Sequence, residues 1–338
     1  MKKYSGIDLH SNNCVVAVID ENDRVCCERR VPNELSKVIG LLSPYRDELV
    51  GIVVESTFNW YWLVDGLREA GFEVKLANTA ALSEYSGLKY RGDEYDARHL
   101  AQLLRLKLIR MGYIFPPEQR AVRDLARKRI QMVRSCTLHI LAFESAYARE
   151  TGGHMNANAI KQLKHEDIDA WNWNPDVTLS VQASLEAITK FQLIIKEIET
   201  RLHERVKLQP EYQILKTTPG IGEVLATTIM LETGPIERFH SPGNYASYAR
   251  CVSSVHMSNG KKKGEGNRKS GNAYLAWAFV EAAHMAVMFN AAAKRFYDRK
   301  KARTNGAVAT KALAHKLARA CYHMLKEQMP FDETRCFA

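Results

Sequence analysis

Apolar residues cluster in three short β-rich runs at the start of the chain: Tyr4–Leu9, Cys14–Ile19 and Arg24–Arg30. Asp20-Glu21-Asn22-Asp23 between the last two is turn chemistry, so the pattern predicts an antiparallel meander. Asn33–Tyr45 reads as a helix with Asn33 as its cap. Gly51–Glu55 is an unbroken apolar strand, which predicts a sheet covered on both faces. Phe58–Ala70 then reads as a helix ending at Gly71, Phe72–Ala77 as a strand, and Thr79–Ser86 and Asp93–Arg110 as helices.

Three antiparallel strands followed by alternating helix and strand is the order of a ribonuclease H-like domain, expected over residues 1–115. Pro116-Pro117 marks its boundary. Beyond it, a long arginine-rich amphipathic helix (Glu118–Ala148) and a second one (Val177–Leu208) flank a loop holding Trp171-Asn172-Trp173-Asn174-Pro175. That pattern predicts a helical hairpin or coiled-coil arm over 116–208, serving as a spacer, a dimer contact or a grip on nucleic acid. A mostly α-helical C-terminal domain over 209–338 is expected to contain a helix-hairpin-helix-like segment. There Thr218-Pro219-Gly220-Ile221-Gly222 would turn its amides toward a phosphate, or simply join two helices. Ser258–Asn272 reads as loop, and Ala273–Ala293 and Ala307–Glu327 as the closing helices. The whole is α/β followed by α.

Charge changes this picture because it is uneven. The 338 residues hold 48 Lys and Arg against 38 Asp and Glu. From Ser241 onward there are 17 basic and six acidic side chains, against 31 and 32 in the 240 residues before. The excess positive charge sits in the last third and points to a polyanion partner. Seven cysteines without CxxC spacing argue against a zinc site or a disulfide framework, and for a reducing cytoplasm. No signal peptide is read at the start, and Glu281 and His284 interrupt the most apolar helix, so no membrane partner is expected.

Candidate chemistry lies in four acids. Asp8 stands in the first strand, Glu55 ends the Val53-Val54-Glu55-Ser56 run, and Asp93 and Asp96 share a helix face by their three-residue spacing. Hard oxygen ligands of this kind suit Mg²⁺ or Mn²⁺, and two such ions would stabilise the attacking and leaving oxygens in phosphoryl transfer. Each acid by itself is equally a cap or a solvated carboxylate. Downstream, Lys261, Lys262, Lys263, Arg268 and Lys269 among glycines make a cationic loop suited to phosphates without sequence preference. Ser258 beside it is a nucleophile only if a metal or a base activates it.

Together these stretches resemble the DEDD-type insertion-sequence transposases. The resemblance rests on Gly6-Ile7-Asp8, Val53-Val54-Glu55-Ser56, Asp93-x-x-Asp96-Ala97, Thr218-Pro219-Gly220-Ile221-Gly222, Arg238-Phe239, Ser258-Asn259-Gly260-Lys261 and Lys269-Ser270-Gly271-Asn272, in order along nearly the whole chain. It implies a RuvC-like first domain whose Asp8, Glu55, Asp93 and Asp96 hold Mg²⁺ or Mn²⁺. It further implies that Ser258 attacks the scissile phosphate to form a phosphoserine link. The partners implied are double-stranded donor and target DNA, a structured bridge RNA that pairs with both, and further copies of the chain in a dimer or tetramer. The setting implied is the bacterial cytoplasm, at the nucleoid. Lys261, Lys262, Lys263, Arg268, Lys269, Gly220 and Gly222 would contact nucleic acid.

The chain departs from the family where Gly-Leu-x-Pro usually precedes the serine. Cys251-Val252-Ser253-Ser254 stands there, and Asn259 intervenes before Gly260. Ser253 and Ser254 are therefore alternatives, although the Gly-Lys after Ser258 and the later Lys-x-Gly-Asn keep Ser258 in register. The rival enzyme is a metal-dependent junction resolvase in which water attacks. An actin-like kinase would need a glycine-rich turn that Leu9-His10-Ser11-Asn12-Asn13 lacks. A non-enzymatic RNA-binding protein would leave the four acids idle.

Overall fold

A computed structural model describes residues 1–77, 92–252, 255–265 and 270–337. The chain forms two compact units, Met1–Phe115 and Pro116–Ala338.

The first unit is built on a six-stranded sheet of order β3-β2-β1-β4-β5-β6. Its strands are β1 (Lys3–Leu9), β2 (Asn13–Asp20), β3 (Val25–Pro32), β4 (Leu49–Glu55), β5 (Val74–Ala77) and β6 (Met111–Gly112). β1, β2 and β3 pair antiparallel, β1 with β4 and β4 with β5 parallel, and β6 antiparallel to β5. The expected turn holds: the Asp20 carboxylate accepts from the amides of Asn22 (2.8 Å) and Arg24 (2.9 Å). Helices α1 (Leu35–Leu42) and α2 (Tyr61–Glu69) cover one face, packing on Ile7, Leu9, Val16, Val18, Ile52 and Val54. Helix α3 (Asp93–Arg105) covers the other, against Val15, Ala17 and Val53. Two covered faces explain why β4 lacks polar positions before Glu55. Asn33 does not cap α1, which starts at Leu35; its side chain instead donates to the His10 carbonyl (3.0 Å). The helix expected at Thr79–Ser86 lies outside the described residues.

In the second unit, α4 (Pro117–Thr151) and α7 (Pro175–Val206) run as a helical pair. The short helices α5 (Ala157–Ile160) and α6 (His165–Asp169) lie between them in sequence. Phe143, Val181, Leu185 and Ile188 form the buried seam, closed at the loop end by Ile160, Ile168 and Trp171. After them come α8 (Pro210–Lys216), α9 (Glu223–Thr233) and α10 (Pro242–Tyr248), then a hairpin of β7 (Val255–Ser258) and β8 (Lys261–Glu265). Helices α11 (Ala273–Phe289), α12 (Ala291–Arg303), α13 (Gly306–Glu327) and α14 (Glu333–Phe337) complete the unit.

Two differences from the sequence reading have clear causes. Residues 258–265 are a hairpin and not loop, because Asn259 and Gly260 both take positive φ (50° and 70°), the backbone that a two-residue turn between twisted strands requires. The helix read as Ala273–Ala293 breaks at Asn290. Its backbone is extended there, and its side chain caps a new helix by accepting from the Ala293 amide (2.8 Å). The alanine run on either side of Asn290 hides that break, and the two helices meet at 108°.

Candidate metal centre and serine hairpin

Strand periodicity brings the first unit's polar groups together. Ile7 and Leu9 face α1 and α2, so Gly6, Asp8 and His10 face α3. On the neighbouring parallel strand Ile52 and Val54 face α1 and α2, which turns Val53 and Glu55 toward α3. Ile7 pairs with Val54, so one step further Asp8 and Glu55 stand side by side at the carboxyl ends of β1 and β4. From the far side of β2, Arg30 pairs with Val15, a residue of the same face.

Gly6 sets how closely α3 lies on this face. A β-carbon at Gly6 would stand 2.1 Å from the Ala97 carbonyl oxygen and 2.7 Å from the Ala101 nitrogen, so only glycine admits the helix. One turn before Ala97, that contact delivers the first turn of α3, with Asp93 and Asp96, to the strand ends.

The resulting cluster is compact. Asp8, His10 and Asp93 each offer a ligand atom within 4.8 Å of the others. His10 Nε2 lies 3.3 Å from Asp8 Oδ2 and 3.1 Å from Asp93 Oδ2. The His10 backbone is fixed by three hydrogen bonds: its carbonyl accepts from Asn33 (3.0 Å) and Asn59 (2.9 Å), and its amide donates to the Asn13 carbonyl (2.9 Å). Burial pushes the Asp8 carboxyl up to about 7, aided by its hydrogen bond with Glu55 and opposed by His10. Arg30 Nη2, 2.6 Å from Asp93 Oδ2, holds Asp93 below the usual carboxylate range. Asp96 sits in the same first turn of α3, with one carboxylate oxygen shielded from solvent.

These residues fit a divalent cation. Two carboxyls in hydrogen-bond contact, one buried enough to retain a proton near neutral pH, are a negative site short of positive charge. Asp8, Glu55 and Asp93 supply the oxygen donors that Mg²⁺ and Mn²⁺ prefer, and the His10 nitrogen is a further donor in reach. The sequence reading passed over His10 and Arg30. The signal for His10 was available: Asp8 and His10 are two apart at a strand end, hence on one face. Arg30 depended on the register of β2 with β3, which sequence does not supply.

Ser258 belongs to the second unit. It is exposed and closes β7, paired with Lys261 across the Asn259-Gly260 turn. Lys261 and Lys263 are exposed on β8, and Lys262 pairs with Met257. Ser253, Ser254, Arg268 and Lys269 lie outside the described residues.

Beyond the hairpin, the residues that lead into α11 are tightly packed. Gly271 has φ +82°, and a β-carbon there would meet the Tyr248 carbonyl at 2.6 Å. Asn272 caps α11, accepting from the amides of Tyr274 (2.9 Å) and Leu275 (3.0 Å), and donates to buried Glu232 (2.7 Å). Glu232 in turn accepts two bonds from Arg127 (2.6 and 2.8 Å). Gly220, at φ +84°, packs against α11, where a β-carbon would meet the Ala282 carbonyl at 2.3 Å, whereas Gly222 is exposed at the start of α9 with open space around it.

Comparison with known proteins gives these motifs a context. Residues 5–146 match a DEDD-type IS110 family described as "Transposase", and residues 212–298 match the "Transposase IS116/IS110/IS902 family". A protein of Streptomyces coelicolor described as "Insertion element IS110 uncharacterized 43.6 kDa protein" is 27% identical over 137 residues. That match spans 40% of this chain and 33% of the relative. The acids at the strand ends fall inside the first matched segment and the serine hairpin inside the second, and the chain belongs to the IS110 family of DEDD-type insertion-sequence transposases.

Proposed function

We propose that this protein is a transposase that cuts and rejoins DNA through a phosphoserine intermediate. The observation that carries the reading is the convergence of Asp8, His10 and Asp93, with Glu55 hydrogen-bonded to Asp8, at the ends of two parallel strands. The strand order, three antiparallel strands followed by two parallel ones, supports reading residues 1–115 as ribonuclease H-like and RuvC-like. We assign 116–208 to a helical arm and 209–338 to a transposase domain whose α8–α9 turn is helix-hairpin-helix-like.

In this reading Asp8, Glu55, Asp93 and Asp96 hold Mg²⁺ or Mn²⁺. When bound, the ions neutralise charge on the phosphoryl group and on the oxygens entering and leaving it. His10 and Arg30 keep Asp93 ionised and oriented before the cation arrives. The Ser258 hydroxyl attacks the scissile phosphorus and gives up its proton; a P–O bond to serine forms as the bond to one sugar oxygen breaks. That sugar oxygen leaves and takes up a proton. Attack by the hydroxyl of a second DNA end reverses the step and frees Ser258. Lys261, Lys262, Lys263, Arg268, Lys269 and the exposed Gly222 amide would hold the backbones of donor DNA, target DNA and a pairing bridge RNA. The working assembly would be a dimer or tetramer.

The test is adduct trapping with labelled DNA carrying the element's ends. Wild type with Mg²⁺ is expected to yield a protein–DNA link that is stable to denaturant, and Ser258→Ala none. A link that persists in Ser258→Ala moves the nucleophile elsewhere. Cleavage with no link in wild type favours a resolvase in which water attacks.

A further inference from the structure

We infer that helix α12 is a second nucleic-acid contact, separate from the serine hairpin, which takes an unpaired strand along an arginine stripe with Phe289 stacked on a base. Six basic residues lie between 294 and 303 (Lys294, Arg295, Arg299, Lys300, Lys301 and Arg303), with Asp298 the one acid among them. All six are exposed. Arg295, Arg299 and Arg303 recur every four residues, so they form one line about 12 Å long on the helix surface.

Several other arginines of this unit are already neutralised. Arg127 is held by Glu232, Arg129 by Glu199 (2.6 Å), and Arg335 by Glu327 (2.8 Å to Oε1). The six on α12 make no ion pair among the described residues; Lys301 merely lies over the Tyr297 ring, 6.0 Å from its centre. The acids nearby are committed elsewhere: Glu327 to Arg335, and Glu333 to the Asn290 side chain. Six positive charges against the single Asp298 cost self-repulsion, which a polyanion relieves.

The helix is also held rigidly enough to act as a template. Asn290 caps it, Ala292 and Ala293 are buried, and Phe296 packs against Phe337 (6.3 Å between ring centres). At its head, Met288 and Phe289 close α11 with 69% and 76% of their surface exposed. An exposed aromatic beside a cationic stripe is how sequence-tolerant single-strand sites are built, with the charges on phosphates and the ring on a base. Lys300 also borders a cleft of about 570 Å³ shared with Lys316 and Arg319 of α13, which extends the cationic surface beyond the stripe. An anionic lipid surface is the rival partner for a basic helix beside apolar side chains. We favour nucleic acid because α11 buries Leu275, Ala278, Phe279, Ala282, Ala283 and Ala286 in the unit's own core, so its main apolar face is not free to enter a bilayer.

The inference does not depend on cleavage, so binding is measured in EDTA with full-length protein. The probes are a labelled single strand about 20 nucleotides long, a duplex of the same sequence, and vesicles of phosphatidylglycerol. Arg295→Gln/Arg299→Gln/Arg303→Gln is expected to weaken single-strand binding about tenfold to a hundredfold at about 0.15 M salt and to flatten the log–log salt slope by about two. Phe289→Ala is expected to cost about fivefold or more with the slope unchanged. Lys161→Gln/Lys190→Gln/Lys196→Gln removes the same charge from exposed positions on or beside the long helical pair and should change affinity less than about threefold. Equal losses in the two triple variants would reduce the stripe to general electrostatics. A loss confined to vesicles would assign the helix to lipid, and a duplex preference with no effect of Phe289→Ala would overturn the stacked single strand.

Discussion

Asp8 and Glu232 are both almost fully buried carboxylates, and their surroundings differ in one respect. Glu232, 2% exposed, receives two bonds from Arg127 and one from Asn272, so its charge is balanced within the fold. Burial works against the Arg127 cation, yet Glu232 more than offsets it and holds the guanidinium pKa above its ordinary value. Asp8, 4% exposed, has a second carboxyl as its hydrogen-bond partner and only the partly exposed His10 as a positive neighbour. A buried acid that the fold completes supports structure, and one that the fold leaves short of positive charge is a site for something else.

Substitution separates the two roles. Asp8→Ala should lower Mg²⁺-dependent strand cleavage by about three to five orders of magnitude, or about 4–7 kcal/mol of barrier, without unfolding the first unit. Full cleavage by this variant would remove the metal role. Glu232→Ala should do the opposite: it strands the Arg127 cation and should cost about 3–5 kcal/mol in urea unfolding of the second unit. Glu232→Gln, which keeps an acceptor for Asn272, should cost less. If Glu232→Ala leaves stability unchanged while cleavage fails, the two carboxylates are alike after all.

The same contrast shows what sequence could reveal. The first-unit sheet was legible because its strands are short, apolar and separated by turn residues, and Asp8 and Glu55 were legible as the polar ends of such strands. Asn259-Gly260 was legible too, as a hairpin turn, but a run of lysines and glycines suggested loop instead. The partners of Glu232 were not. Arg127, Glu232 and Asn272 lie about 40 or more residues apart and meet only through helix packing. Helix α12 was hidden by alanines that continue α11's composition across the Asn290 cap.

Gly6 tests how closely α3 must lie. Gly6→Ala places a methyl group inside contact distance of the Ala97 carbonyl and the Ala101 nitrogen, so the helix must move away from β1. The expected cost is about 1–3 kcal/mol of stability, with divalent-ion affinity about tenfold weaker as Asp93 shifts away from Asp8. The control is Gly40→Ala in α1, where the new methyl meets nothing within 4 Å and helix propensity should stabilise by about 0.5–1 kcal/mol. Calorimetric titration with Mn²⁺ reads both variants. Unaltered affinity in Gly6→Ala would mean that the cation does not depend on how α3 is seated.

The effect most specific to Asp8 is its dependence on pH. Its carboxyl rises from an ordinary value of 3.8 to about 7 in the folded protein. Between those values the folded state binds a proton that the unfolded chain has released. The resulting stability is complete below about pH 4, declines as pH rises, and is gone once pH passes about 7. In EDTA the first unit should therefore lose about 1–3 kcal/mol between about pH 4 and pH 7.5, beyond any background shared with Asp8→Asn, which has no such proton to lose. A divalent ion competes with that proton, so Mg²⁺ should flatten the decline in wild type and leave Asp8→Asn unmoved. A decline of equal size in Asp8→Asn would place the titrating group elsewhere in the cluster and make Asp8 as well compensated as Glu232.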